Sequence, residues 1–138
     1  MMSKIDEARE EFSKDLYATK LSGIKIDEIG EDFARCSMDL TPDHLNAYGG
    51  VMGGAIYTLA DFAFAVASNF GKDVASVSAD GHASFLNPAK GKTLTAEAKL
   101  LKDGKRNCFY QVDVRDELGT YIAVVSFTGA HVPKKIKE

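Results

Sequence analysis

The spacing of apolar residues predicts a helix at the start of the chain. Apolar side chains recur every three or four positions from Ile5 to Leu16, and this period predicts an amphipathic helix over about residues 3–20. Ser3 and Asp6 form a candidate capping pair in its first turn. The chain is therefore expected to begin with a helix that buries one face.

Alternating apolar and polar residues follow this helix. The alternation lies on both sides of the turn-forming triplet Gly-Glu-Asp within residues 24–40. In the second arm Ala34, Cys36 and Met38 share one face. We expect a β-hairpin here, followed by a loop over residues 41–50, which are rich in Pro, Asp, Asn and Gly.

The segment from Gly53 to Asn69 is apolar nearly all round. A helix with this pattern has to be covered by protein on most of its sides. Gly71 supplies a stop just beyond it. We therefore expect a buried central helix.

The second half of the chain consists of alternating runs separated by short turns. These runs span residues 74–86, 93–101, 107–116 and 121–132. Several strands and one apolar helix indicate an α+β fold in which an antiparallel sheet curls around the helix. We expect a single domain over residues 1–138, with its core over about residues 24–132 and a frayed tail in the final PKKIKE.

Composition and charge narrow the classes of function. The 138 residues are 45% hydrophobic, which is typical of one globular domain with a full core. The chain has 20 acidic and 17 basic residues, so it offers no basic field to nucleic acid or anionic membrane. Cys36 and Cys108 are far apart, the N-terminus is too charged for a signal peptide, and the longest apolar stretch is too short to cross a bilayer. We expect a soluble cytoplasmic protein without nucleic-acid or membrane partners.

One charged side chain, Asp61, lies within the apolar stretch from Asn46 to Phe70. An unpaired carboxylate in an apolar interior is costly, so it has to be paired or used. If it is partly desolvated, its pKa is raised and it can act as a base or a nucleophile. The alternative is a structural acid held by Thr58, Ser78 or the backbone across an interface.

Two glycines at the predicted start of the central helix, Gly53 and Gly54, suggest carbonyl binding. The first N–H groups of a helix have no acceptor within it, and glycine allows a ligand carbonyl to approach them closely. This is the make-up of an oxyanion-stabilising site. The alternative is that both glycines only permit close packing.

The distance between these glycines and the acid constrains how they can cooperate. Eight residues separate Gly53 from Asp61, which corresponds to about 12 Å along a helix. One chain cannot bring both groups to the same carbonyl. If both act, two copies of the helix have to lie antiparallel across a two-fold axis.

Residues 44–69 and 76–107 together resemble the hotdog-fold acyl-CoA thioesterases of the phenylacetate-degradation and 4-hydroxybenzoyl-CoA type. That family's pattern is His-x-Asn, a Gly, His-Gly-Gly, Leu-x-Asp and a downstream Pro turn. The positions of this chain that fall into register are His44, Asn46, Gly49, Gly53, Gly54, Leu59, Asp61 and Pro88. The resemblance implies a sheet wrapped around one long helix, dimers with antiparallel helices, and frequent tetramers.

The resemblance also implies roles for individual residues. Asn46 and Gly53 would hold the thioester carbonyl, Asp61 of the partner subunit would activate water or attack directly, and Ser78 would position that water. On composition alone, Asn46 is equally well explained as a loop former, and a strand serine by default hydrogen-bonds a neighbour. The implied activity is hydrolysis of an acyl-CoA to a free acid and coenzyme A.

Further positions are candidates for binding the substrate. Met52 stands where the family often has His, and a thioether cannot donate a hydrogen bond, so that contribution is lost. The other candidates are Gly54 and His44 near the carbonyl, Tyr57 and Phe62 beside the acyl group, and Lys90 and Arg106 for the phosphates of coenzyme A. His44 is better explained as a brace for its loop, and lysine-rich turns are usually only solvated.

Neither a metal nor a cofactor is expected. His44, His82 and His131 fall in separate elements, and no zinc, P-loop or nucleophile-elbow motif occurs. The competing function is a non-catalytic acyl-CoA binder or sensor on the same fold, which the methionine at position 52 keeps open. A hotdog dehydratase is disfavoured because no histidine is placed to pair with Asp61.

Overall fold

The computed structural model describes residues 1–133, so all of the expected frayed tail PKKIKE except Pro133 lies outside the described residues. The described part contains two α-helices and six β-strands. In chain order these are α1 (Lys4–Phe12), β1 (Ile24–Gly30), β2 (Phe33–Asp39), α2 (Gly53–Asn69), β3 (Ala75–Phe85), β4 (Thr93–Asp103), β5 (Asn107–Asp116) and β6 (Tyr121–Val132). A π-helical turn at Tyr17–Leu21 lies between α1 and β1, and a 3₁₀ turn at Pro42–His44 lies between β2 and α2.

The six strands form one antiparallel sheet in the order β1-β2-β4-β5-β6-β3. Helix α2 packs against it and touches every strand, which confirms the predicted α+β hotdog architecture. The bounds predicted for the central helix, Gly53 to Asn69, agree with the structure.

Small side chains on the inner face of the sheet let α2 lie close to it. On β2 and β4, Ala34 pairs with Ala98 and Cys36 pairs with Ala96, and all four are fully buried. Helix α2 contacts both strands, and its larger residues are buried in the same core, among them Leu59, Phe62, Phe64 and Val66. The alternation that predicts the strands therefore also selects the face that receives the helix.

The first helix is shorter than the predicted span of residues 3–20. Ser3 caps it as expected, since its hydroxyl accepts a hydrogen bond from the Asp6 N–H. The helix ends at Phe12, where the Ser13 hydroxyl donates to the carbonyl of Glu10 at 2.6 Å. This local bond competes with helix continuation, and Leu16 is 60% exposed and offers no burial to support another turn.

Strand β3 lies at the edge of the sheet and is less covered than the central strands. It pairs with β6 on one side only, and its residues 77–82 are all exposed. A bulge falls between Ser78 and Asp80. Within the described residues no helix is both long and apolar enough to cross a membrane.

Candidate functional site

The start of α2 presents free hydrogen-bond donors. The N–H groups of Ala55 and Ile56 donate to the Met52 carbonyl at 3.0 and 3.2 Å, whereas those of Gly53 and Gly54 donate to no acceptor within residues 1–133. These donors carry the positive end of the helix dipole. The site is therefore able to bind a carbonyl oxygen or another electron-rich atom.

Gly53 and Gly54 differ in the space that is available for a side chain. A Cβ at Gly53 would lie 3.2 Å from the ring of Phe85, so the close approach of that ring favours glycine. A Cβ at Gly54 would meet nothing closer than Met52, at 4.0 Å. Packing thus accounts for Gly53 and leaves Gly54 without a steric reason.

Asn46 shapes its loop and keeps one end of its side chain available. Its Oδ1 accepts from the N–H groups of Tyr48 and Gly50 at 2.9 and 3.1 Å, which also fixes which end of the amide is the oxygen. Its Nδ2 donates to no group in the described part of the chain. Asn46 is therefore a loop former and still has a free donor.

His44 braces the same loop. Its Nδ1 accepts from the Thr41 N–H at 3.0 Å, so its Nε2 carries the proton and donates to the Ser22 carbonyl at 2.8 Å. The ring is buried and both nitrogens are occupied. Since the His44 carbonyl accepts from the Met52 N–H at 2.8 Å, the residue ties the Asn46 loop to the start of α2.

A cavity of ≈400 Å³ opens beside these donors. Asn46 and Gly53 both line it, and the segment from Phe85 to Ala89, which carries Pro88, forms the opposite wall. Met52 lies at the helix start, is 53% exposed and makes no side-chain cap. The structure thus places Asn46, Gly53 and the Pro88 turn around one cavity.

Asp61 lies two turns further along α2, in a different cavity of ≈290 Å³. Its carboxylate forms no hydrogen bond or ion pair with any described residue, and Thr58 instead donates to the Gly54 carbonyl at 2.8 Å. Partial burial raises the pKa of Asp61, and the nearby negative charge of Asp15 raises it further. Within one chain, the acid is therefore neither satisfied nor close to Gly53.

Sequence reasoning missed Asp15. It lines the Asp61 cavity together with the Leu16–Ala18 segment, which follows the early end of α1. Burial raises the pKa of Asp15 as well. The sequence predicts one continuous helix through this segment, and such a helix does not indicate that Asp15 lies near Asp61. No local motif distinguishes Asp15 from the other acids near the N-terminus.

The proposed acyl contacts lie on different sides of α2. Tyr57 packs over Gly81 of β3, where any Cβ would collide with its hydroxyl, and its ring lies 5.6 Å from that of Phe127. Phe62 is buried against Phe12, with ring centroids 6.1 Å apart. One chain therefore does not gather Tyr57 and Phe62 around a single acyl group.

Strand β3, which carries Ser78, runs alongside α2. Helix and strand run in opposite directions, with Tyr57 over Gly81 at one point and Asn69 bonded to Ser76 at another. Ser78 lies between these two points on β3 and is exposed. No hydrogen bond joins it to Asp61 among the described residues.

The two basic candidates are far apart. Lys90 precedes β4 and Arg106 follows it, and a strand of 11 residues is about 33 Å long. Both residues are exposed. One chain cannot direct both to the phosphates of one coenzyme A. In residues 1–133, no three His, Cys, Asp or Glu side chains cluster in a way that could hold a metal ion.

Comparison with known proteins gives one consistent family. The profile of the thioesterase superfamily matches residues 48–123. The acyl-coenzyme A thioesterase PaaI of Escherichia coli is 34% identical over 106 residues, which cover 76% of this chain and 75% of that protein.

Solved structures agree with this match. The structure of the E. coli PaaI protein from the phenylacetic acid degradation operon superposes with a TM-score of 0.86 at 27% identity, covering 97% of each chain. A variant of the phenylacetic acid degradation protein PaaI from Thermus thermophilus superposes with a TM-score of 0.76 at 28% identity, covering 83% of this chain and 97% of the other. The chain belongs to the thioesterase superfamily.

Proposed function

We propose that the protein hydrolyses acyl-CoA thioesters to a free acid and coenzyme A. The observation that carries this proposal is the cavity at the start of α2, which is lined by both Gly53 and Asn46 in a member of the thioesterase superfamily. The Gly53 N–H and the Asn46 Nδ2 are both donors without an acceptor among residues 1–133. A thioester carbonyl supplies the acceptor they lack.

The donors act on the carbonyl oxygen, where negative charge grows during attack. Donors fixed by the fold before the reaction stabilise this charge without reorganising, and removing one such donor typically slows a reaction about 10²–10³-fold. Gly53 is fixed by the helix and Asn46 by its two backbone hydrogen bonds. The carbonyl is therefore held and polarised in one step.

Asp61 generates the attacking species. Its unpartnered carboxylate can take a proton from water while the water oxygen adds to the carbonyl carbon, or it can attack that carbon itself. In the first route the carbon–sulfur bond then breaks, and coenzyme A leaves as a thiol with the proton that Asp61 took from water. In the second route the bond breaks to leave an acyl anhydride of Asp61, and water hydrolyses it to the free acid, which restores the Asp61 carboxylate and supplies the proton that the departing thiolate takes up. Ser78, on the neighbouring strand, would orient the water.

The complete site needs two copies of the chain. Gly53 and Asp61 line different cavities of one protomer, and about 12 Å of helix separates them. The edge of β3 is unpaired and exposed, which leaves a surface along which a second copy can bring its α2 antiparallel to the first. We propose a homodimer in which each site takes Asn46 and Gly53 from one protomer and Asp61 from the other.

The remaining substrate contacts follow from this assembly. The acyl group would lie along the paired helices near Tyr57 and Phe62, and Lys90 and Arg106 of different protomers would contact the phosphates. The resemblance adds pairing of dimers into tetramers. The thiols of Cys36 and Cys108 are free and buried, which fits a reducing compartment such as the cytoplasm.

Mixing two inactive variants tests the cross-subunit site. Chains carrying Asp61→Asn and chains carrying Asn46→Ala are unfolded together in equal amounts and refolded. Half of the dimers are then mixed, and each mixed dimer has one site with both lesions and one with neither. Activity on an acyl-CoA should therefore return to about a quarter of the wild-type value.

A matched mixture makes this result decisive. Wild-type chains are refolded with an equal amount of chains that carry both substitutions. A cross-subunit site again predicts about a quarter of full activity, because only wild-type dimers work, whereas a site within one chain predicts about half. Values near zero in the first mixture and half in the second, with mixed dimers confirmed by intact-mass spectrometry, would reject the composite site.

The second candidate function is a non-catalytic acyl-CoA sensor, which the methionine at position 52 favours. Met52 is exposed beside the carbonyl site and cannot donate a hydrogen bond. Met52→His should raise kcat/KM about tenfold, or ~1.4 kcal/mol, if a missing donor limits carbonyl polarisation. Tight binding of aliphatic and aromatic acyl-CoAs without thiol release, by both wild type and variant, would instead support the sensor.

A further inference from the structure

The carboxyl end of α2 faces a third cavity, of ≈310 Å³. It lies about 24 Å along the helix from Gly53, and none of its lining residues takes part in the site proposed for thioester hydrolysis. Ser76, His131 and Asp103 all line it. These residues come from the start of β3, the end of β6 and the end of β4.

The three side chains form a continuous hydrogen-bonded chain. Ser76 Oγ lies 3.0 Å from His131 Nδ1, and His131 Nε2 lies 2.8 Å from Asp103 Oδ1. The carboxylate only accepts, so it requires the proton of a neutral imidazole to be on Nε2. The Nδ1 lone pair then points at the Ser76 hydroxyl and can accept its proton.

The fold fixes this arrangement firmly. Ser76 pairs with His131 in the sheet register, so both side chains point to the same face. Asn69, the last residue of α2, clamps Ser76 from the other side: its Oδ1 accepts from the Ser76 N–H at 2.8 Å, and its Nδ2 donates to the Ser76 carbonyl at 3.0 Å. Gly129 allows Cys108 to pack closely, since a Cβ at Gly129 would lie 2.6 Å from the Cys108 sulfur, and that thiol donates to Ser76 Oγ at 3.8 Å.

We propose that Ser76, His131 and Asp103 form a second hydrolytic site, in which Ser76 is a nucleophile toward short-chain carboxylic esters. A serine hydroxyl is a weak nucleophile until a base accepts its proton, and a base oriented by a carboxylate is the arrangement that activates it. His131 Nδ1 faces the Ser76 hydroxyl, and His131 Nε2 faces the Asp103 carboxylate. The cavity has room for a small ester, and Lys105 adds a positive charge to its lining.

The reaction balances with water as the only co-reactant. Ser76 Oγ adds to the ester carbonyl carbon while its proton moves to His131 Nδ1. The carbon–oxygen bond to the alcohol breaks, and the alcohol leaves with that proton. Water then gives a proton to the same nitrogen, adds to the acyl carbon and releases the carboxylic acid, which restores the Ser76 hydroxyl. Asp103 is a positioning residue throughout and keeps the imidazole in the required tautomer.

A covalent serine probe and a chromogenic ester test this site apart from the thioesterase. Diisopropyl fluorophosphate and p-nitrophenyl acetate are applied to the full chain in an Asp61→Asn background, which removes the acid assigned to thioester hydrolysis. We expect phosphorylation of Ser76, located by peptide mass spectrometry, and loss of labelling and of ester turnover in Ser76→Ala. Ser84→Ala is the matched control, because Ser84 lies on the same strand 3.5 Å from His82 but without an attached carboxylate.

Two further variants separate catalysis from a structural role. His131→Asn should lower the labelling rate about 10²–10⁴-fold, as expected for loss of a general base. Asp103→Asn, on a half-exposed side chain, should preserve the melting temperature, slow labelling and change its pH profile. Labelling that is absent from the folded protein, maps to another residue or persists in Ser76→Ala would overturn the proposal. If the variants melt at lower temperatures and the wild type is not labelled, the hydrogen bonds among Ser76, His131 and Asp103 only hold three strand ends together.

Discussion

Asp61 and Asp116 are both at least partly buried, yet their carboxylates differ in the hydrogen bonds that they accept. Asp116 ends β5 and is buried, and its two oxygens accept hydrogen bonds from four backbone N–H groups. These belong to Lys90, Gly91, Leu118 and Thr120, at 2.9, 2.9, 3.1 and 2.9 Å. Asp61, on the outer side of α2, accepts none from the described residues.

The pKa values of the two carboxyls move in opposite directions for this reason. Burial alone would raise the pKa of Asp116, but the N–H groups of Lys90, Gly91 and Thr120 stabilise its charge and hold the pKa well below its usual range. Burial raises the pKa of Asp61, and no donor in the described part of the chain compensates. An acid whose lone pairs are all used holds the fold together, whereas one whose lone pairs are free is available for a substrate or a partner subunit.

The largest expected effect is on catalysis by Asp61→Asn. The substitution keeps the shape of the side chain and removes the base, so kcat for thiol release from an acyl-CoA should fall about 10²–10⁴-fold. The melting temperature at neutral pH should not fall, because relieving a partly buried charge does not destabilise a fold. Turnover equal to wild type in the folded variant would end the assignment of Asp61 to the chemistry.

The same substitution at Asp116 should show the reverse behaviour. In Asp116→Asn, one oxygen becomes an NH₂ group that faces two backbone donors, and the free energy of unfolding should fall by about 3 kcal/mol. Thiol release by the folded fraction should change by less than about threefold, because Asp116 does not line the cavity at Gly53. Urea unfolding and steady-state kinetics on the same samples measure both quantities.

The lowered pKa of Asp116 also fixes how this difference depends on pH. A carboxyl whose pKa is lower in the folded state stabilises the protein above its unfolded pKa of about 3.9, and this contribution is lost as pH falls toward the lower folded value. The stability gap between wild type and Asp116→Asn should therefore be largest near neutral pH and shrink in acid. A gap that stays constant down to acid pH would contradict the role given to the charge.

The unusual environment of Asp61 can be predicted from the sequence, whereas that of Asp116 cannot. Asp61 is conspicuous because its neighbours are apolar, and the same pattern predicts the bounds of α2 and, to within two residues, those of the last four strands. Asp116 stands in the polar run VRDELG, where a turn acid with four hydrogen bonds looks like any solvated one. Its partners Lys90 and Gly91 are 26 and 25 residues away, so only the tertiary fold reveals them.

Long-range pairing also explains what else could not be predicted. Ser76 and His131 are 55 residues apart and meet only through the β3–β6 register. Asp15 reaches the Asp61 cavity because α1 stops at Phe12, an outcome decided by the local bond of Ser13 and by the exposure of Leu16. Motifs and hydrophobic periodicity locate secondary-structure elements and residue types, whereas the neighbours and hydrogen-bond partners of each acid depend on contacts across the fold.

The smallest expected effect concerns the environment of Asp61 and comes from Asp15→Asn. The negative charge of Asp15 raises the pKa of Asp61 in addition to burial, so removing it should lower that pKa while burial keeps it above the ordinary value. Thioester hydrolysis requires ionised Asp61, whether it acts as base or nucleophile, and kcat/KM rises with pH as this group loses its proton.

The acidic limb of the kcat/KM profile should therefore move to lower pH in Asp15→Asn, with the plateau above it little changed. Glu11→Gln is the matched control, since it removes one negative charge from the nearby end of α1 at a residue outside the Asp61 cavity, and it should leave the limb in place. Added salt should reduce the shift, because it screens a charge interaction between partly exposed groups. An unmoved limb in Asp15→Asn, or an equal shift in Glu11→Gln, would show that Asp15 does not tune Asp61, and the raised pKa of Asp61 would then rest on burial alone.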